Sequence, residues 1–377
     1  MTINRERLLN LFAELVAIDS PSRNEHFMAA RLKDELMALS FEVYEDDAGT
    51  LCGSTSGNVH GYLDGVGDPL LFCTHMDTVE PSRNKRAVFN EDGTITSAGD
   101  TVLGADDCAG TAAILEAVRS LREETKLHRP IEVLFTIAEE IYRGGASVLD
   151  SSRIQSKEAY ILDLAGPVGI AAYQAPTILF FSAEITGKAA HAGFEPEKGV
   201  HAIYAAAKAI CALQMGRLDD DTSCNIGVIE GGLASNIVPD RCLLRGEVRS
   251  YIHEKAQKQA ELVEQTLQDA AASIGASVHF SLQEGCRAYS TPKEHPVAVR
   301  FVNACKKMGV PGDLISTFGG SDNNHLAQYG ITGLVLATAM NQCHSLNEYT
   351  TVDELCNAAT LALELMLSSE LGTSEQS

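Results

Sequence analysis

The chain begins with apolar residues at helical spacing. They recur on one side of a charged segment, at Leu8, Leu11, Phe12 and Leu15. This pattern predicts an amphipathic helix. Because charged residues interrupt the apolar ones, the segment is not a secretory signal with an unbroken apolar centre, and we expect a cytoplasmic protein.

Three short apolar runs further along the chain predict buried strands, at residues 70–74, 131–138 and 159–164. The segment AGTAAILEAVRSLREE lies between the first two runs, and its apolar residues recur on one side, as in a helix. Near-continuous apolar strands that alternate with helices are typical of a parallel sheet covered on both faces. The predicted fold class is therefore α/β, with a mostly parallel sheet and helices on both of its faces.

The pattern changes near Pro176. The segment TILFFSAEITG alternates in part like a half-exposed strand, and a helix, two strands, a long polar helix and a last strand, SVHFSL, follow it. This β-α-β-β-α-β order is that of a ferredoxin-like α+β layer. We therefore predict that an inserted domain, residues 176–288, interrupts a first domain formed by residues 1–175 and 289–377.

Length and composition fit a folded protein of two domains. The 377 residues exceed the roughly 100 to 200 residues of one domain, and 45% apolar with 21% charged residues is ordinary for a globular chain. Only the last half-dozen residues are expected to be disordered. The ten cysteines form no CxxC pair, which in a cytosolic chain indicates reduced thiols rather than disulfides or a zinc ribbon.

The charge of the chain excludes two classes of partner. The 51 acidic and 29 basic residues give a formal net charge of −22, which repels phosphate backbones and anionic membrane surfaces. No apolar run approaches the roughly 18 residues that a membrane-spanning helix requires. We expect neither a nucleic-acid partner nor a membrane partner.

Acidic residues and histidines lie at the ends of the predicted buried strands or just beyond them. They are His75 and Asp77, Glu139 and Glu140, Asp163 and His344, and Asp106 and Asp107 precede a helix. Each alone has an ordinary structural explanation, such as a helix N-cap for an aspartate. Together they meet at the edge where parallel strands end, and such a cluster of carboxylates repels itself unless a cation compensates.

A metal site resolves this conflict. The candidate ligands are His75, Asp106, Glu140, Asp163 and His344. Imidazole and carboxylate ligands suit zinc, with manganese or cobalt as substitutes. Five ligands are enough for two divalent ions if one carboxylate bridges them, and two ions about 3.5 to 4 Å apart that share a hydroxide are a known device for hydrolysis.

Eight motifs give the chain a family resemblance. In order, they are THMDT, GADDCAG, FTIAEE, ILDLAGPVG, GKAAHAGFEPEKGVHAI, SNIVPD, GGSDNN and CHS, and they span almost the full chain. The set resembles the co-catalytic zinc metallopeptidase family that includes peptidase T, carboxypeptidase G and aminoacylase, and within it the peptidase T-like branch. The first predicted domain would then be the metal-binding catalytic domain, and the inserted domain a lid or dimerisation domain.

The resemblance implies a role for each residue of the cluster. His75 and Asp163 would hold one metal ion, Glu140 and His344 the other, and Asp106 would bridge the two. Asp77 would orient His75. Glu139 would be the general base that takes a proton from the metal-bridged water and passes it to the leaving amine. The family also implies a cis peptide bond between Asp106 and Asp107.

The resemblance extends to substrate binding, although less specifically. His191 would bind the carbonyl oxygen that develops negative charge, and in dimeric relatives this histidine comes from the second subunit. Asn236 and Arg249 occupy positions that hold the substrate carboxylate or backbone, and a structural role is almost as plausible for Arg249.

The GGSDNN motif would form a tight loop near the substrate, or only a turn. Its residues Gly319, Gly320, Ser321 and Asp322 supply the loop, with Gly320 and Ser321 as the candidate substrate contacts.

Asp163 favours one activity within the family, because aminopeptidases tend to have Asp at this position where carboxypeptidases and deacylases have Glu. The implied function is a dinuclear metal-dependent aminopeptidase that removes the N-terminal residue from short peptides such as tripeptides. The alternatives are an amidohydrolase of N-acyl amino acids or a carboxypeptidase of the same family, and, from another class, a non-catalytic binding relative.

Two residues depart from the family pattern. Cys108 stands where the family commonly has Lys, and Tyr142 stands where it commonly has Gly. Neither departure removes a metal ligand or the base, but Tyr142 follows Glu140 closely enough to affect the approach of substrate. A homodimer through the inserted domain is expected by analogy with the family.

Overall fold

The structure is a computed structural model that describes residues 3–124, 127–142 and 144–367. The predicted disorder of the last half-dozen residues therefore lies outside the described part. No helix among the described residues is long and apolar enough to cross a bilayer.

The chain divides into two compact units. The first comprises Met1–Tyr173, Ser290–Ser316 and Ser321–Ser377, and the second comprises Gln174–Tyr289 and Thr317–Gly320. The first unit therefore consists of the two ends of the chain, and the second is built almost entirely from its middle.

The described residues form nine α-helices. They are α1 (Arg5–Val16), α2 (His26–Ala38), α3 (Ala48–Cys52), α4 (Ala105–Glu123), α5 (Ala202–Ala212), α6 (His253–Ala272), α7 (Pro296–Met308), α8 (Asp322–Gln328) and α9 (Val352–Met366).

Nineteen strands accompany the helices in the described part of the chain. They are β1 (Glu42–Glu45), β2 (Val59–Leu63), β3 (Leu70–His75), β4 (Ala87–Phe89), β5 (Thr94–Ser97), β6 (Ile131–Thr136), β7 (Glu158–Ala165), β8 (Ile170–Ala175), β9 (Thr177–Thr186), β10 (Ala190–His191), β11 (Gly216–Arg217), β12 (Thr222–Gly231), β13 (Ile237–Val238), β14 (Arg241–Ser250), β15 (Ser277–Cys286), β16 (Tyr289–Ser290), β17 (Asp313–Ser316), β18 (Thr332–Met340) and β19 (Tyr349–Thr351).

The first unit is built on a nine-stranded sheet whose order is β1-β2-β6-β3-β7-β18-β8-β16, with β17 paired to β8. The four central strands, β6, β3, β7 and β18, are parallel, whereas β2 and β8 pair with them antiparallel. Strands β3 and β6 are buried at every residue, as their unbroken apolar sequences predict. The α/β class and the mainly parallel central sheet are confirmed.

The helices of the first unit cover this sheet with apolar faces. The predicted first helix is α1, and the four apolar residues that predicted it are all buried in the main core. Helix α4 is buried along most of its length and packs against α1 and α9. The helix also contacts β3 and β7 of the sheet.

The second unit contains an antiparallel sheet of order β11-β12-β14-β9-β15. Helices α5 and α6 pack against it and contribute to a separate core that includes Phe181, Leu244 and Val263. In chain order the long elements run β9, α5, β12, β14, α6, β15, which is the predicted β-α-β-β-α-β order. The inserted ferredoxin-like α+β layer is thus present.

Candidate metal centre

His75 ends the buried strand β3 and is itself 3% exposed. Its Nδ1 lies 3.0 Å from the backbone oxygen of Asp77 and 3.5 Å from that residue's Oδ1. Donation of the Nδ1 proton to the Asp77 backbone turns Nε2 toward the centre of the cluster. There Nε2 lies 3.0 Å from Asp106 Oδ1 and 3.8 Å from Asp163 Oδ1, and Asp163 projects from the parallel neighbour β7.

Asp106 lies where the chain enters α4. The peptide bond between Asp106 and Asp107 is cis, so the predicted isomer is confirmed. The preceding Gly104 has φ 78°, a left-handed conformation that favours glycine. The buried Glu348 carboxylate accepts the N–H groups of Gly104 at 2.7 Å and Asp106 at 3.0 Å. These contacts hold the backbone of Asp106 in place.

Glu139 and Glu140 occupy the short turn that follows β6. The turn begins at Ala138 and ends at Tyr142, which have left-handed φ angles of 53° and 61°. Asp77 accepts the backbone N–H of Glu139 on Oδ1 at 2.9 Å and that of Glu140 on Oδ2 at 3.3 Å. The Asp77 carboxylate therefore orients the turn, and the closest contact that Asp77 makes with His75 is through its backbone oxygen.

His344 follows β18 and reaches the cluster from a partly exposed position. Its Nε2 lies 3.0 Å from Glu140 Oε2 and 3.3 Å from Asp106 Oδ2. Since the other oxygen of Asp106 faces His75, the Asp106 carboxylate lies between the two histidines. That is the position of a bridging ligand.

Two groups of three side chains can each hold a metal ion. One consists of His75, Asp106 and Asp163, the other of Asp106, Glu140 and His344, and within each group the ligand atoms lie within 4.8 Å of one another. The buried Oε1 of Glu140 has no hydrogen-bond partner among the described residues. A cation is the natural partner for such an oxygen, so the donor set fits two divalent ions.

The pKa values of the cluster reflect its unbalanced charge. Burial lowers the pKa of His75, but its hydrogen bonds to Asp106 and Asp77 outweigh burial and raise it well above the usual range. Burial also raises the pKa of Asp163 well above its usual range, with Asp106 among the carboxylates that add to the effect. Hydrogen bonds to Asp106 and Glu140 raise the pKa of His344 to about 10. Without a cation, protons on His75, Asp163 and His344 therefore reduce the repulsion among the carboxylates of the cluster. A bound cation would take over this role.

Glu139 differs from its neighbour because it belongs to neither ligand group. Burial raises its pKa well above the usual range, and the nearby Asp163 carboxylate raises it further. Buried Asp322, which accepts a hydrogen bond from the Thr136 hydroxyl at 2.5 Å, adds to this repulsion. A carboxylate with a raised pKa can exchange a proton near neutral pH.

The remaining predicted residues are divided between the units. Ser321, the N-cap of α8, belongs to the first unit, whereas Gly320 belongs to the second. In the second unit, His191 is exposed on β10, and its Nδ1 accepts N–H groups from Gly193 and Phe194. The structure assigns no substrate role to these residues.

Asn236 and Arg249 also belong to the second unit. Asn236 is exposed, and its backbone oxygen accepts the N–H of Ala192 at 3.0 Å. The Arg249 guanidinium donates to Glu247 at 2.8 and 3.0 Å and to the Phe318 oxygen at 2.7 Å. These contacts fix the guanidinium, and its substrate role stays a prediction.

Sequence analysis missed two residues that support the centre. Glu348 holds the backbone before Asp106, and buried Glu25 accepts the backbone N–H of Ala138 at 3.0 Å. Both lie in polar stretches away from the predicted strand ends, where an acidic residue indicates only a solvated loop or a helix terminus. A sequence signal for a carboxylate that binds a remote backbone amide does not exist.

Comparison with known families and structures gives consistent matches. The Peptidase dimerisation domain (M20_dimer) matches residues 176–274, and Peptidase family M28 matches residues 58–212. A tripeptidase from Staphylococcus aureus subsp. aureus mu50 is 33% identical, with a TM-score of 0.95 over 97% of this chain and 99% of that chain.

Two further relatives span nearly the whole chain. Aminopeptidase PepT from Bacillus cereus ATCC 10987 is 38% identical, with a TM-score of 0.90 over 97% of this chain and 98% of that one. Peptidase T of Bacillus velezensis is 24% identical over 409 aligned positions, which cover 96% of this chain and 98% of the relative.

Proposed function

The chain belongs to the peptidase T-like branch of the M20 metallopeptidase family, and from this premise we propose that it is a dinuclear metal-dependent aminopeptidase that removes the N-terminal residue from short peptides such as tripeptides. One observation carries the proposal. Two groups of side chains that are able to hold a metal ion share Asp106, and Glu139 lies beside them but in neither group.

The ligand roles follow the geometry of the cluster. His75 and Asp163 would hold one ion, Glu140 and His344 the other, and Asp106 would bridge them. The mixed nitrogen and oxygen donors favour Zn²⁺, with Co²⁺ or Mn²⁺ as substitutes. When bound, two such ions polarise a carbonyl group and lower the pKa of a water molecule.

The side chains supply the rest of the chemistry. Glu139 would take a proton from the attacking water and deliver it to the leaving amine, which its raised pKa favours. Asp77 would fix the backbone positions of Glu139 and Glu140, because its two carboxylate oxygens accept their backbone N–H groups. Its backbone oxygen keeps the Nε2 of His75 turned toward the ligands.

The substrate-binding side is assigned by family resemblance. His191 would stabilise the developing oxyanion, and Asn236, Arg249, Gly320 and Ser321 would contact the peptide. Residues 1–175 and 289–377 would form the catalytic domain, and residues 176–288 a lid or dimerisation domain. We propose a cytoplasmic homodimer that is assembled through this inserted domain.

Digestion of a peptide library by zinc-, cobalt- or manganese-loaded protein tests the function. We expect release of the N-terminal residue from short peptides with a free amine, and little or no cleavage of their N-acetylated counterparts. Preference for the acetylated peptides would instead identify an amidohydrolase of N-acyl amino acids, and release of the C-terminal residue a carboxypeptidase. Inactivity with all three metals would leave only a binding role.

A further inference from the structure

Glu25 is a fully buried carboxylate outside both ligand groups, with 0% of its surface exposed. It lies immediately before α2, in the segment that connects α1 and α2. Burial of an ionisable side chain is costly unless its oxygen atoms are hydrogen-bonded. The hydrogen bonds of Glu25 therefore indicate what a buried carboxylate does at this position.

Both oxygens of Glu25 accept hydrogen bonds. Oε1 accepts the backbone N–H of Ala138 at 3.0 Å and that of Arg23 at 2.7 Å, and Oε2 accepts the hydroxyl of Ser54. The bond to Ala138 joins residues that are far apart in sequence. It ties the segment before α2 to the turn that carries Glu139.

This turn is held by two carboxylates that share its amides. Glu25 takes the N–H of Ala138, and Asp77 takes the N–H groups of Glu139 and Glu140. Ala138 has φ 53° and ψ 35°, a left-handed conformation that a non-glycine residue keeps only where its surroundings impose it. The Glu25 bond is one such restraint, and it acts on the residue directly before Glu139.

The segment around Glu25 also supports Asp77. The hydroxyl of Ser22 donates to Asp77 Oδ2 at 2.6 Å, and the backbone oxygen of Ser20 accepts the N–H of Thr78 at 2.9 Å. Residues 20–25 thus include Glu25, one of the two carboxylates that hold the turn, and hydrogen-bond to Asp77, the other. The segment is a support for the turn rather than a simple connection between helices.

We propose that Glu25 is a positioning residue for the general base Glu139, which it holds in place through the backbone amide of Ala138. The proposal rests on the proposed function for the role of Glu139. Glu25 itself belongs to neither ligand group. Its effect should therefore fall on the chemical step and not on the binding of metal or peptide.

Comparison with Asp77 sharpens this expectation. Asp77 contacts Glu140 and His75, both metal ligands, so its loss should weaken metal binding as well as catalysis. Glu25 contacts the turn through the backbone N–H of Ala138, which is outside both ligand groups. Its loss should therefore leave metal affinity intact while kcat falls.

The experiment compares two variants of similar size in the metal-loaded, full-length protein. Glu25→Met fills the space but cannot accept a hydrogen bond, whereas Glu25→Gln keeps an acceptor oxygen for the Ala138 amide. We expect Glu25→Met to lower kcat about 10- to 100-fold, because a displacement of the Glu139 carboxylate by up to about 1 Å has an effect of this size. KM and the amount of bound metal should stay within about twofold of wild type. Glu25→Gln should restore kcat to within about threefold.

Glu132 provides a matched control on the same unit. It is also a buried carboxylate, and it accepts the backbone N–H groups of Gln155 at 3.0 Å and Ser156 at 2.7 Å, away from the metal ligands. Glu132→Met removes a similar pair of contacts and should lower stability while the folded fraction keeps its kcat. An equal loss of kcat in this control would show that Glu25→Met acts through general destabilisation, and would overturn the proposal.

A second measurement does not depend on activity. Hydrogen–deuterium exchange should be faster at Ala138 in Glu25→Met than in wild type or Glu25→Gln. If Glu25→Met does not fold, Glu25→Asp, whose carboxylate is one methylene shorter, should show the faster exchange and the lower kcat.

Besides an equal loss of kcat in the Glu132→Met control, three results would overturn the proposal. They are unchanged exchange at Ala138, unchanged kcat in a folded Glu25→Met protein, and a Glu25→Gln protein as slow as Glu25→Met. Failure of the wild-type protein to cleave any peptide would instead contradict the proposed function, and the exchange measurement would still report whether Glu25 anchors the turn.

Discussion

Two adjacent glutamates illustrate how environment sets the role of a residue. The Oε2 of Glu140 lies 3.0 Å from His344, and its Oε1 is buried without a partner among the described residues. Glu139 belongs to neither ligand group, and burial beside Asp163 raises its pKa. The same side chain is thus suited to bind a cation at one position and to exchange a proton at the next.

Replacement of Glu139 tests this division directly. Glu139→Gln should lower kcat by a factor of about 10² to 10⁴, because a positioned general base contributes that much. Metal content should not change, since Glu139 is outside both ligand groups. Steady-state kinetics and elemental analysis of the same sample measure both quantities, and a variant with wild-type turnover would refute the role of Glu139.

His344 predicts a pH dependence of the metal-free protein. Hydrogen bonds to Asp106 and Glu140 raise its pKa to about 10, from an ordinary histidine value of about 6.5. A raised pKa in the folded state stabilises the protein fully below pH of about 6.5, and this stabilisation is lost as pH rises through about 10. Because the side chain is half exposed, solvent screens the effect.

We therefore expect the melting temperature of the metal-free wild-type protein to fall as the pH is raised from 6.5 to 10. This fall should be a few degrees larger than the fall in the His344→Gln variant. Thermal denaturation in the presence of a chelator measures the difference between the two proteins. Identical pH profiles would show that the His344 imidazolium does not bind the two carboxylates.

At the scale of elements, the approach of α4 to β7 determines where two of the ligands lie. Gly110 lies where the helix contacts the strand, and a Cβ atom there would be 2.5 Å from both the Leu162 oxygen and Asp107 Oδ1. Leu162 directly precedes the proposed ligand Asp163, and Asp107 directly follows the proposed ligand Asp106. A methyl group added at Gly110 would therefore displace the neighbours of both Asp106 and Asp163.

Gly110→Ala should destabilise the protein by about 1 to 3 kcal/mol, the usual effect of overpacking, and should also weaken zinc binding. Gly99→Ala is the control, because a Cβ atom at Gly99 meets no atom within 4 Å. Thermal denaturation and competitive zinc titration measure both effects. Unchanged zinc affinity in Gly110→Ala would show that the ligands do not depend on this helix–strand contact.

The sequence predicted the buried elements better than the outer ones. Strands β3, β6 and β7 have nearly continuous apolar sequences, and the cluster at their carboxyl ends followed from that pattern. Edge strands such as β1, with the sequence EVYE and a partly exposed surface, gave no comparable signal. Burial imposes a pattern on the sequence, whereas pairing at the edge of a sheet depends on backbone hydrogen bonds that many sequences can form.

The same distinction separates the metal ligands from the residues that support them. His75, Glu140 and Asp163 were predicted because each lies at the carboxyl end of a buried strand or just beyond it. Glu25 and Glu348 act through backbone amides that are more than 100 positions away in sequence, and local patterns carry no information on such contacts. Only the folded chain brings these carboxylates to their partners.

At the scale of the whole molecule, the middle of the chain forms its own compact unit. Residues Gln174–Tyr289 contribute nearly all of it, and its core is separate from that of the first unit. The four-residue segment Thr317–Gly320 also belongs to this unit. There, the Cζ atom of Arg217 lies 3.6 Å from the centroid of the Phe318 ring. The five proposed metal ligands all lie in the other unit.

The segment Gln174–Tyr289, produced alone, should therefore fold without metal. It has the size of an ordinary independent domain, and it retains the sheet, α5 and α6. Circular dichroism should show a cooperative thermal transition that is insensitive to zinc. Light scattering on the same sample tests the proposed dimer, because a dimer assembled through the inserted domain persists in the isolated segment. A folded monomer would place the dimer contact elsewhere, and an unfolded segment would show that this core depends on the rest of the chain.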